Sequence, residues 1–71
     1  MIKVTLSVGN RVLNTLEITN DETGEPDNSN YDVVLYRPGM SVSGRVEGHD
    51  RSRSIWDLVK AAVNSIPEDR R

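Results

Sequence analysis

Ser54-Ile55-Trp56-Asp57-Leu58-Val59-Lys60-Ala61-Ala62-Val63-Asn64-Ser65-Ile66 is the one stretch of this chain with helical periodicity, and Pro67 follows it. At roughly 100° per residue, Ile55, Leu58, Val59, Ala62, Val63 and Ile66 share one arc with Trp56 at its edge. Asp57, Lys60 and Asn64 point the other way. Ser54 is placed to cap the free amides of the first turn, and Asp57 can bond back to it as in a Ser-x-x-Glu box. Pro67 has no amide hydrogen and drives Ile66 out of helical dihedrals. A helix with one apolar face needs a surface to lie on, so the remaining residues must build it.

Upstream, Ile2, Val4, Leu6 and Val8 alternate with Lys3, Thr5 and Ser7, which predicts a half-buried strand over about 2–8. Gly9-Asn10 signals a turn into a second strand over about 12–19. A two-residue turn would pair Val8 with Arg11, Val4 with Thr15 and Ile2 with Glu17, mixing oil and charge on one face. A three-residue loop, or a bulge of the same effect, pairs Val8 with Val12, Val4 with Leu16 and Ile2 with Ile18. Burial favours the second register, with Leu13 on the outer face. Residues 20–30 are polar and carry Asp21, Glu22, Glu25 and Asp27 without a base, which predicts a plain connecting loop. Their spacing does not match a twelve-residue calcium loop, and no metal is expected.

Tyr31 to Arg37 and Ser41 to Glu47 predict a second hairpin turned by Pro38-Gly39. With Tyr36 opposite Ser41, Leu35 meets Val42, Val33 meets Gly44 and Tyr31 meets Val46. On the other face Asp32 then meets Arg45, an attractive pair. Gly48-His49-Asp50 is expected to break the strand, and 67–71 to fray. The fold class is therefore α+β: a two-layer ββββα domain, residues 1–71, with an antiparallel four-stranded sheet and one C-terminal helix on one face.

Composition narrows the function classes. A chain of 71 residues buries only about 60% of its unfolded surface. With no cysteine and the single histidine His49, neither a disulfide nor a thiolate–imidazole metal site can brace it, which leaves association as the common remedy. Nine basic against 11 acidic residues give a net charge of −2, with no overall attraction to nucleic acid or anionic membrane. No apolar run approaches a membrane span or a signal-peptide core, so a cytoplasmic domain is expected.

Catalytic chemistry is poorly supplied. Ser52 lies near His49, but two residues flanking a turn are not a triad, and His49 reads as a solvated turn residue. The glycines occur singly, without phosphate-cradling spacing. No enzyme activity and no cofactor are expected. Arg51-Ser52-Arg53-Ser54 is the one local basic cluster; with Arg37, Arg45 and Lys3 it supports an alternative reading as a nucleic-acid-binding accessory protein. The preferred reading is a protein-interaction module, homodimeric through the uncovered sheet face or an edge strand. Leu13, Val34 and Tyr36 beside Arg45 form the expected interaction face, and Trp56 is expected to lid the core.

Tyr31-Asp32-Val33-Val34-Leu35-Tyr36-Arg37-Pro38-Gly39, Gly44-Arg45-Val46-Glu47-Gly48-His49-Asp50-Arg51 and Trp56-Asp57-Leu58-Val59 together resemble small uncharacterised proteins encoded by actinobacteria and their phages. The resemblance covers most of the chain. It implies an accessory protein of bacterial or phage origin and brings no activity, ligand or catalytic residue with it.

Overall fold

The computed structural model describes all 71 residues. Four strands, β1 (Ile2–Val8), β2 (Arg11–Asn20), β3 (Asn28–Arg37) and β4 (Met40–Asp50), form one antiparallel sheet in the order β1-β2-β3-β4. The helix α1 (Ile55–Asn64) follows, and a single 3-10 turn closes the chain at Glu68–Arg70. This is the ββββα arrangement that the hydrophobic periods predict.

The first hairpin satisfies both candidate registers. Ile2 pairs with Ile18 and Val4 with Leu16, as burial requires, yet Val8 pairs with Arg11 across the short Gly9-Asn10 turn. A bulge reconciles them: Leu6 pairs with Asn14 and Ser7 with Val12, leaving Leu13 as the extra residue. The expected Val8–Val12 pair is therefore not made. In the second hairpin, Tyr36–Ser41, Leu35–Val42, Val33–Gly44, Asp32–Arg45 and Tyr31–Val46 are all present, and Arg37–Met40 adds a rung.

Both strands of the second hairpin run further than the apolar pattern indicates. β3 begins at Asn28, and β4 continues through Gly48 and His49 to Asp50. Ser29 pairs with His49 and Tyr31 with Val46, so one residue of β3 faces Glu47 and Gly48 together. Gly48 takes φ +66°, the left-handed geometry of a glycine bulge, and its amide donates to Asn30 Oδ1 at 2.8 Å. A glycine that signals a strand break in sequence here extends the strand.

The core is Leu16, Ile18, Val33, Leu35, Val46, Leu58, Ala62 and Ile66. Ser54 caps α1, accepting from the Asp57 amide at 3.3 Å, and Ser65 closes it with a hydroxyl bond to the Ala62 carbonyl at 2.6 Å. The helix rests on β4, where Gly44 admits it: a Cβ there would lie 2.9 Å from Ile66 Cδ1 and 3.0 Å from the Ser65 carbonyl oxygen. Three apolar residues of α1 expected at the core are exposed: Ile55 at 53%, Trp56 at 75% and Val63 at 37%, so Trp56 is no lid. The tail is held rather than frayed. Arg71 Nε donates to the Ile66 carbonyl at 2.9 Å, and Arg37 Nη1 donates to the Arg70 carbonyl at 3.4 Å.

Candidate docking groove beside an edge strand

The uncovered sheet face, expected to be the interaction face, consists largely of polar rows. Lys3, Glu17, Val34 and Ser43 lie side by side, as do Thr5, Thr15, Tyr36 and Ser41. Val34 is half-buried among its neighbours, while Tyr36 is exposed. The Glu17 carboxylate beside the Tyr36 phenol pushes its pKa up. Leu13 sits in the bulge at the far end of β2, away from Val34.

Arg45 is engaged by three carboxylates. It bonds Asp21, reaches Asp32 through Nη1 at 2.7 Å and reaches Glu47 through Nε at 3.0 Å. These bonds, Asp21's first, raise its pKa further and take three of its five N–H donors. Asp21 also accepts from the Thr23 amide at 2.9 Å and its hydroxyl at 2.6 Å, and these bonds with the help of Arg45 lower its pKa to about 2. Asn30 Nδ2 ties back to Thr23 Oγ1 at 3.1 Å. The acidic segment is thus a laced loop pinned to β3 and β4, not a plain connection. Asp21 is spent on it, and no group of three His, Cys, Asp or Glu residues converges on a point that could hold a metal ion.

The basic residues do not form one surface. Arg51 Nε donates to the buried Ser29 Oγ at 2.6 Å and Nη1 to the Pro26 carbonyl at 3.0 Å, stapling the approach to α1 onto the loop. Arg53 lies 3.8 Å from Asp57. Arg37 stands on the helix side of the sheet, at the opposite end of β3 from Ser29. Eight residue steps along the strand separate those two positions, about 26 Å. Lys3 faces the other side in the row with Glu17. Ser52 donates its hydroxyl to Asp50 Oδ1 at 2.8 Å, not to His49, and the Ser52 amide bond to the same oxygen lowers the Asp50 pKa. His49 is no solvated turn residue. It lies in β4 with Nε2 buried and unpartnered and its ring edge-on to Tyr31 at 6.3 Å.

What the helix leaves open is apolar. A helix of ten residues is about 15 Å long and about 10 Å wide, so it roofs only part of a four-stranded sheet. Between α1 and the β1–β2 side lies an open cavity of about 260 Å³, walled by Val4 and Leu6 on one side and Val59 and Val63 on the other. Leu16, Leu35 and Ile66 floor it, and Asn14 and Arg71 stand at its margin. Leu6 and Val8 continue the wall toward the hairpin tip at 59% and 68% exposure. β1 is at the edge of the sheet, so one row of its backbone groups has no strand to bond. Sequence periodicity places these residues on the inner face correctly. It does not reveal that the inner face outruns its cover, although the shortness of the helical stretch against four strands of inward apolar residues carries that signal.

The chain matches no known family, no curated protein and no solved structure. No helix is long and apolar enough to cross a membrane. The geometry alone therefore bears on function.

Proposed function

We propose that this protein is a non-enzymatic protein-interaction module that receives an extended segment along β1. One observation supports it: an unpaired edge strand runs beside an apolar groove between that strand and a helix. A strand added at such an edge gains main-chain hydrogen bonds, while every second side chain turns toward the groove. Burying Leu6 and Val8 would remove apolar surface worth about 25 cal/mol per Å². The earlier alternative, nucleic acid on a basic face, finds Arg51 committed to Ser29 and Arg37 at the far end of the sheet.

The test is titration of the isotope-labelled protein with a heptapeptide of the β1 sequence, blocked at both ends, followed by amide and methyl resonances. Expected are shifts in β1 amides and in the methyls of Val59 and Val63, with β4 unmoved. A peptide that perturbs nothing at millimolar concentration, or moves only residues around Val34 and Tyr36, would sink the proposal.

A further inference from the structure

We infer that the segment added to β1 is β1 of a second copy of this chain, antiparallel about a two-fold axis at Thr5. The inference rests on the docking reading above and names its occupant. About that axis Ile2 meets the partner's Val8, Val4 meets the partner's Leu6, and Lys3 meets the partner's Ser7. Paired positions then always have the same parity, so the four apolar residues of each strand meet apolar residues on the helix side. Each lysine faces a serine, not the other lysine, which removes the like-charge repulsion that usually guards an edge. An isologous contact of this kind closes on itself as a dimer.

The two sheet edges are not equivalent. β4 carries the Gly48 bulge and the charged Arg45 and Glu47, devices that discourage strand addition. β1 has no proline and no extra residue of its own, since the bulged residue Leu13 belongs to β2. Of the two edges, β1 is the one without a bulge of its own or a cluster of charges along its length.

Surface area points the same way. The chain exposes 5018 Å², whereas a compact monomer of its mass exposes about 4,400 Å². The excess, about 600 Å², approaches the ~800 Å² that each partner of a standard interface buries. The radius of gyration of 12.6 Å likewise exceeds the about 11 Å of a compact chain of this length. The principal extents of 40 × 21 × 19 Å show an elongated shape, whose long axis is that of strands of ten and eleven residues.

Light scattering over a concentration series should give twice the 7.9 kDa of one chain, at the same mass in low and high salt. Leu6→Glu with Val8→Glu should return the single-chain mass with an unchanged far-ultraviolet circular dichroism spectrum. A second measurement does not depend on that variant folding. The chain has no cysteine, so Thr5→Cys places one thiol per chain at the axis, where paired Cα atoms lie within disulfide reach. Oxidised glutathione should cross-link Thr5→Cys nearly completely and Ser43→Cys, on the β4 edge, at least tenfold less. A single-chain mass at every concentration would overturn the inference. So would a dimer that links through Ser43→Cys instead of Thr5→Cys. In either case the peptide titration still decides whether β1 is a docking edge at all.

Discussion

Gly44→Ala probes the contact that seats the helix on the sheet. The added Cβ would lie 2.9 Å from Ile66 Cδ1, 3.0 Å from the Ser65 carbonyl oxygen and closer still to Ser65 Oγ. Ile66 is fully buried, so its methyl has no free space to swing into. Overpacking of this sort costs about 1–3 kcal/mol, and the stiffer unfolded chain of alanine offsets about 0.4–1 kcal/mol. The net loss expected is about 1–2 kcal/mol, which for a domain this size lowers the melting temperature by roughly 5–15 °C. Urea unfolding followed by circular dichroism is the suitable assay, because the single tryptophan is already in water. Ser65→Ala alone loses the hydroxyl bond to Ala62, about 1 kcal/mol. In the double variant the two losses should fall short of their sum by at least about 0.5 kcal/mol, since removing Oγ relieves the tightest contact. A Gly44→Ala protein as stable as the wild type would refute this account of how α1 is seated.

Three further outcomes are expected. Ser54→Ala should cost about 1 kcal/mol through loss of the helix cap, read as a lower urea midpoint. Ile66→Ala should cost about 3–4 kcal/mol and Trp56→Ala less than about 0.5 kcal/mol, a contrast that a denaturant series resolves and that reverses if Trp56 lids the core. Asp21→Asn should flatten the acid limb of the stability curve. The folded carboxyl titrates near 2, below its ordinary 3.8, so its stabilisation is full above the ordinary value and is lost as pH falls from there through the folded one. An Asn variant that keeps the wild-type slope across pH 4 to 2 would remove Asp21 from the network that fixes the loop.

The sequence by itself determined the architecture because its signals are local and repeated. Alternation in residues 2–8, the Asp32–Arg45 match and the capped apolar arc from Ser54 each specify an element through its own period. Mutual consistency of faces then selects the registers. Tertiary structure decided what those signals do not encode. Whether Gly48 breaks a strand or bulges it depends on Asn30 across the ladder. Whether Arg45 and Arg51 present charge or spend it depends on Asp21 and Ser29, 24 and 22 residues away in the chain. The docking groove is a difference between two areas, the apolar face of four strands and the footprint of one short helix. Periodicity names the residues on each, and only their placement in space shows which of them the helix leaves uncovered.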